Sequence, residues 1–345
     1  MRVRTIAVVA LSLVAGCSRP GGKQGRTPHE LSPPVEPYVR VSTAESNIVQ
    51  LQIAVRKFVP ARGKGPAVWL TGVSHIGETN YYAALQRQLD AQSLVLYEGI
   101  GGPGPEGEET PRAEEASRAG TGTNSASAKA RRSSLQSSLA ASLGLVFQLE
   151  AVDYARPNFR NCDLSIEQLR QLMAEERAAS GQPGPAQSFE TLLQMMEGDS
   201  LLDTIVQMAM RFLGANPKLQ AMSKLALIET IAQMKGDPSQ LRGLPPQLSQ
   251  LLEVLVQKRN QKVVDELKAE LKSKERPRTI AIFFGTGHMP DLEKRLREEV
   301  GYRPAEEIWL TAFSVNLREA GVSQSEKEVI RGFVKREMEQ LQTPR

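Results

Sequence analysis

The chain has 345 residues, of which 40% are apolar and 24% charged, and a formal net charge of +4. That length supports one large domain or two small ones around a sizeable core, and the composition excludes a fibrous or wholly disordered chain. Lysine and arginine are scattered among aspartate and glutamate without forming a basic stripe, so nucleic acid is not an expected partner.

Met1-Arg2-Val3-Arg4 is a short basic start, residues 5–13 are almost wholly apolar, and Val14-Ala15-Gly16-Cys17 sets small residues directly before a cysteine. This is the layout of a secretory signal peptide, and the apolar run is far short of the ~20 residues that a spanning helix needs. A cysteine at the cleavage point resembles the lipobox of bacterial lipoproteins. That resemblance implies a signal peptide over 1–16, lipid on Cys17, and a membrane as partner through that lipid. The expected location is then the cell envelope, facing the periplasm or exterior. Ser18 stands where some lipoproteins carry an aspartate that retains them in the inner membrane, which points to the outer membrane. The only other cysteine is Cys162, so acylation of Cys17 leaves no internal disulfide.

Residues 17–42 are rich in Pro, Gly, Ser and charge and read as a flexible tether. Residues 49–59 (VQLQIAVRKFV) alternate as a strand does, and 66–71 (PAVWLT) form a compact apolar strand running into Gly72. Residues 78–90 have helical spacing, and 93–97 (SLVLY) form a buried strand ending at Glu98. The stretch 99–134 is dense in Gly, Pro, Ser, Thr, Ala and charge and is expected to be a disordered insertion. From 135 to 275 the pattern is helical: one helix over 135–152, another opened by Ser165 with Glu167 and Gln168 in its first turn, and breaks at later Gly and Pro clusters. Most of the ten methionines lie in this block, as core filler or as an adaptable binding surface. Strand character returns at 278–284 (RTIAIFF), followed by a helix over 290–299, a strand over 307–313 and an amphipathic helix over 326–341.

Two segments share one plan: an apolar strand, Gly-x-x-His, a helix and a second strand. The spacing from His75 to Tyr97 nearly equals that from His288 to Trp309, which suggests a duplicated β-loop-α-β unit. The chain holds three histidines; His29 lies in the tether, and the other two each sit three residues after a glycine at a strand end. Sites in open α/β sheets form at the carboxyl ends of strands, where glycine permits a sharp turn or close approach. Side by side, the two units would bring His75, His288 and Glu98 to one cleft. Two histidines and a carboxylate suit a divalent transition metal such as Mn, Co or Zn. The expected fold is α/β (α+β): a domain over 43–315 with a central mixed sheet built from the two repeats and a large helical insertion, then a C-terminal helix over 316–345.

Gly72-Val73-Ser74-His75, Gly285-Thr286-Gly287-His288, the glutamate of Leu96-Tyr97-Glu98-Gly99, and Arg259-Asn260 together resemble the TraB/PrgY/GumN superfamily. That superfamily includes the TIKI metalloproteases and is related more distantly to the ChaN and erythromycin-esterase group. The resemblance covers residues 68 to 313. It implies an α/β core with a helical insertion and, from the TIKI branch, metal-dependent protease activity using the two histidines and the glutamate.

Other residues keep two readings each. Asp163 is a metal ligand or a general acid or base, or else it caps the helix that follows. Arg259 binds a substrate carboxylate or a developing oxyanion, or else forms a salt bridge on a helix face. Cys162 reads as a small buried residue, and Tyr81, Tyr82 and Tyr97 as core or cleft lining. The leading functional expectation is a metal-dependent hydrolase of amide or ester bonds in a peptide or small molecule. In it Glu98 or Asp163 moves the proton, since one carboxylate cannot be both tight ligand and free base. The alternative is a non-catalytic lipoprotein that binds a metal or haem; a scaffold with a decayed site is a third.

Overall fold

A computed structural model describes residues 35–45, 47–99, 137–180, 214–233 and 254–342. The expected signal peptide, Cys17, the insertion and much of the methionine-rich block lie outside them. In chain order the strands are β1 (Val39–Glu45), β2 (Ile48–Pro60), β3 (Ala67–Val73), β4 (Ile76–Gly77), β5 (Leu94–Tyr97), β6 (Val146–Phe147), β7 (Phe159–Asn161), β8 (Thr279–Gly285) and β9 (Tyr302–Asn316). The helices are α1 (Thr79–Asp90), α2 (Gln148–Ala151), α3 (Ile166–Ser180), α4 (Pro217–Gln233), α5 (Arg259–Lys272), α6 (Met289–Glu298) and α7 (Gln324–Gln342). A π-helical turn, Val254–Lys258, leads into α5, and a 3-10 turn, Thr286–His288, joins β8 to α6.

The fold is α/β with one mixed sheet, ordered β1-β2-β3-β8-β5-β7, and β9 on β2. β3, β8, β5 and β7 are parallel neighbours; β2 is antiparallel to β1, β3 and β9. β9 follows β2 along its whole length, from Ile48↔Asn316 to Pro60↔Tyr302. β1 and β3 therefore share the other edge of β2, one after the other.

Alternation sorts the apolar runs onto two faces. Val68, Leu70, Ile280, Ile282 and Phe284 pack with Val263, Val264 and Leu267 of α5 and with Leu292 and Leu296 of α6. Trp69, Val73, Ala281 and Phe283 pack with Tyr81, Tyr82, Leu85 and Leu89 of α1 and with Leu225, Ile228 and Ile231 of α4. A strand covered on both faces reads as an unbroken apolar run, as β3 and β8 do. Among the described residues no helix is long and apolar enough to cross a membrane.

The structure alters several expectations. Residues 39–42, expected as tether, belong to β1, and Tyr38 before them is buried. The buried Arg56 holds this segment: it donates to the backbone oxygens of Glu36 and Pro37 at 2.8 Å each and lies over the Tyr38 ring. The helix expected over 135–152 is interrupted. Gly144, at φ 62°, turns the chain out of helical conformation, and β6 pairs with β4 before α2 begins. β7 adds a short strand that no apolar run in the sequence marks. The two repeated units sit side by side through β3 and β8 but part at their closing strands: β5 joins β8 in parallel, whereas β9 crosses to β2 and runs antiparallel.

Candidate functional site

Each parallel strand delivers one polar side chain just past its carboxyl end: His75 after β3, His288 after β8, Glu98 after β5 and Asp163 after β7. The register Val73↔Gly285 and Tyr97↔Phe283 aligns these ends along one edge of the sheet. The place where they meet can be read at Gly285. A Cβ on that residue would lie 3.2 Å from Glu98 Oε2, 3.6 Å from His75 Nε2 and 3.8 Å from His288 Cδ2. The φ of Gly285 is −49°, which any residue adopts, so space rather than a sharp turn is what glycine supplies here. At Gly72 the same holds: a Cβ would press at 3.3 Å on Ile53, Met289 and Thr286. Gly287 is buried inside the 3-10 turn.

The loops are braced from several sides. Tyr81 Oη accepts from the Ser74 amide at 3.2 Å, and Tyr82 Oη donates to the Ser74 carbonyl at 2.8 Å. These two tyrosines are buried in the core and hold the loop from there. The Gln148 amide donates to the His75 carbonyl at 2.8 Å, and the Thr286 hydroxyl to the Val73 carbonyl at 3.0 Å. Pairing of Ile76 with Phe147 is what sets Gln148 beside His75.

Arg259, the first residue of α5 after the π turn, is the electrostatic centre. Its Nε and Nη2 donate to the two oxygens of Asp163 at 2.8 and 2.7 Å, and Nη2 also to Glu98 Oε1 at 2.5 Å. Nη1 faces the Leu255 carbonyl at 3.3 Å and His288 Nε2 at 3.4 Å. A π turn commonly marks such sites, because the extra residue re-aims the side chains that follow. Asp163, wholly buried, also accepts from the amides of Gly99 and Leu164. Helix capping falls instead to Ser165, whose hydroxyl accepts from the Gln168 amide while Gln168 Oε1 accepts from the Ser165 amide. Asp163 therefore buttresses Arg259, and its carboxylate acts on His288 through its charge and not through a hydrogen bond.

Burial alone would raise the Glu98 carboxyl. Arg259, His288, His75 and the Gly285 amide, which donates at 2.6 Å, more than offset it and hold Glu98 well below the usual carboxylate range. Glu98 Oε1 lies 3.7 Å from His288 Nε2. His288 is 3% exposed, and burial, with Arg259 opposing the pull of Glu98, pushes its pKa down to about 4. It is neutral near pH 7. Burial, with Asp163 and Glu266 next, pushes the Cys162 thiol up, which removes it as a nucleophile.

No family model matches the sequence, and comparison with curated proteins and with solved structures likewise returns no match.

Both imidazoles carry an amide oxygen on Nδ1: Gln148 Oε1 on His75 at 2.8 Å and Asn260 Oδ1 on His288 at 2.7 Å. A side-chain carbonyl only accepts, so in this arrangement each Nδ1 carries the hydrogen and each Nε2 offers a lone pair. Among the described residues no group of three or more His, Cys, Asp and Glu side chains is placed to hold a metal ion as it stands. The donor chemistry nonetheless suits one: two bare Nε2 atoms with oriented Nδ1–H groups, and a carboxylate that uses two of its roughly four lone-pair sites. Arg259 Nη1 competes for the lone pair of His288.

The sequence reading placed His75, His288, Glu98, Asp163 and Arg259 in the site but missed Gln148, Tyr154 and Asp291. Tyr154 Oη accepts from Gln148 Nε2 at 2.7 Å, and Asp291 Oδ2 accepts from Asn260 Nδ2 at 2.9 Å. Tyr97 packs against Tyr154 and Phe159 in an aromatic wall. No residue pattern announces Gln148, because it reaches the site only through the β4–β6 pairing.

Proposed function

We propose that this chain is a hydrolase of amide or ester bonds, of the TraB/PrgY/GumN type that its motifs resemble. The supporting observation is the convergence of His75 Nε2, His288 and the Glu98 carboxylate on the space left by the missing side chain of Gly285. His75 accepts a proton from an attacking water at Nε2 as the water oxygen bonds to the substrate carbonyl carbon. His288 Nε2 accepts a hydrogen bond from that water's second hydrogen, and Glu98, ionised, stabilises the imidazolium that forms on His75. Arg259 Nη1, whose two contacts are long, turns to the oxyanion that develops on the carbonyl oxygen. His75 then returns its proton to the leaving nitrogen or oxygen as the scissile bond breaks, so protons balance over the cycle.

A divalent transition metal (Mn, Co or Zn) would be held by His75, His288 and Glu98 and would supply Lewis acidity at the carbonyl. The contact of Arg259 Nη1 with His288 Nε2 favours instead the acid–base steps above, which use no metal and leave His75 Nε2 free to take up and return the proton. Hydrolysis of a peptide and ester panel by chelated protein, then by protein reloaded with Mn, Co, Zn or haem, separates the two. Turnover only after reloading with a divalent ion supports the metal-held site, and turnover in chelator supports the metal-free steps. Tight haem binding without turnover on any substrate refutes both. We further propose that lipid on Cys17 anchors the chain in the cell envelope.

A further inference from the structure

We propose that the two histidines are held to different degrees: Asp291 and Asn260 lock His288 as the Nδ1–H tautomer, whereas Tyr154 and Gln148 give His75 a seat that accepts either tautomer. Gln148 and Asn260 are then positioning residues. They make His288 a fixed acceptor and leave His75 able to present Nε2 as acceptor or as donor. Only these roles rest on the hydrolytic function; the hydrogen-bond logic does not.

The difference between the two seats lies one residue beyond each amide. Asp291 Oδ2 is ion-paired with Arg295 Nε at 2.6 Å and can only accept. Asn260 must turn its Nδ2 toward it, at 2.9 Å, and the same nitrogen also donates to the His288 carbonyl at 3.3 Å. Turning the amide over would set Oδ1 against two acceptors and lose both bonds in a fully buried place. Oδ1 therefore stays on His288 Nδ1, the hydrogen stays on Nδ1, and Nε2 stays bare.

The His75 chain has the same shape with a different end. Gln148 Nε2 donates to a tyrosine hydroxyl, which both donates and accepts. If the Gln148 amide turns over, Tyr154 Oη donates to Oε1 and Nε2 donates to His75 Nδ1. Every bond is remade between the same positions with its direction reversed, and the ring hydrogen moves to Nε2. His75 is also only partly buried, so water is at hand for the exchange.

The test is the long-range 1H–15N spectrum of the full chain labelled at histidine, metal-free, at a pH well above the histidine range. Three histidines are present, so single substitutions assign them. His288 is expected as Nδ1–H alone and His75 as a mixture of both tautomers. Asp291→Asn, which can donate, is expected to bring the Nε2–H form into His288. Tyr154→Phe is expected to shift the His75 ratio and leave His288 unchanged. A mixture at His288 in the unaltered chain, or a single His75 tautomer that Tyr154→Phe does not move, overturns the inference. The unaltered chain decides the first point even if a variant fails to fold. Expected tautomers together with no turnover on any substrate would refute the hydrolase and support the positioning.

Discussion

The Arg259 guanidinium holds two carboxylates where little water reaches: Arg259 and Asp163 side chains are 4% and 0% exposed. Removing one partner of such a cluster leaves uncompensated buried charge, at a cost of about 3–5 kcal/mol. Arg259→Met should lower the unfolding free energy by that amount in urea titration. A loss under about 1 kcal/mol would mean the cluster is solvated in solution. His288 makes a second residue-scale prediction. Its folded pKa, about 4, lies below its ordinary 6.5, so as pH falls the unfolded chain takes up a proton first. Stability is therefore full above pH 6.5, falls between 6.5 and 4 by up to about 3 kcal/mol, and is flat in this term below that. Glu98 acts in the same direction but in a lower window, since a depressed carboxyl costs stability only as pH drops below its ordinary value. His288→Gln should remove the pH 6.5-to-4 slope, measured as unfolding free energy against pH.

Among the elements, those buried on both faces were legible and those that depend on a partner were not. β3 and β8 read directly because AVWLTGV and TIAIFFG leave no polar face to expose. The glycine three residues before each histidine marked the carboxyl ends, and with them most of the site. β7, three residues long and polar at two of them, has strand character only because β5 lies beside it. β1 was hidden by the Pro-rich stretch that precedes it and is secured by Arg56, which the local sequence cannot pair with Glu293 or Glu307 far along the chain. Hydrogen bonds to a charged group contribute about 1.5–3 kcal/mol each. Arg56→Met should therefore raise amide exchange across β1 by roughly tenfold or more, with β3 and β8 amides unchanged. Equal protection of β1 in both proteins would show that strand pairing alone holds it.

At the scale of the whole molecule, the parallel half of the sheet builds the site and the antiparallel half closes the domain. β2 and β9 form its long outer ribbon, and α4 and α7 are tied by Arg331 to Glu229 and Lys218 to Glu326 at 2.6 and 2.7 Å. The proposed anchor lies outside the described residues, and Cys17→Ser should move the protein out of the membrane fraction without changing its thermal unfolding. Persistence in the membrane fraction, with no lipid on Cys17 by mass spectrometry, would contradict it. In the proposed reaction His75 and His288 serve one step at one place. Turnover of the best substrate from a peptide and ester panel by the unaltered chain, His75→Ala, His288→Ala and the double variant decides whether they do. Residues acting as a unit are not additive, so each single variant should lose nearly all activity and the double variant little more. Partial losses that multiply in the double variant would mean two independent roles and would contradict the shared site.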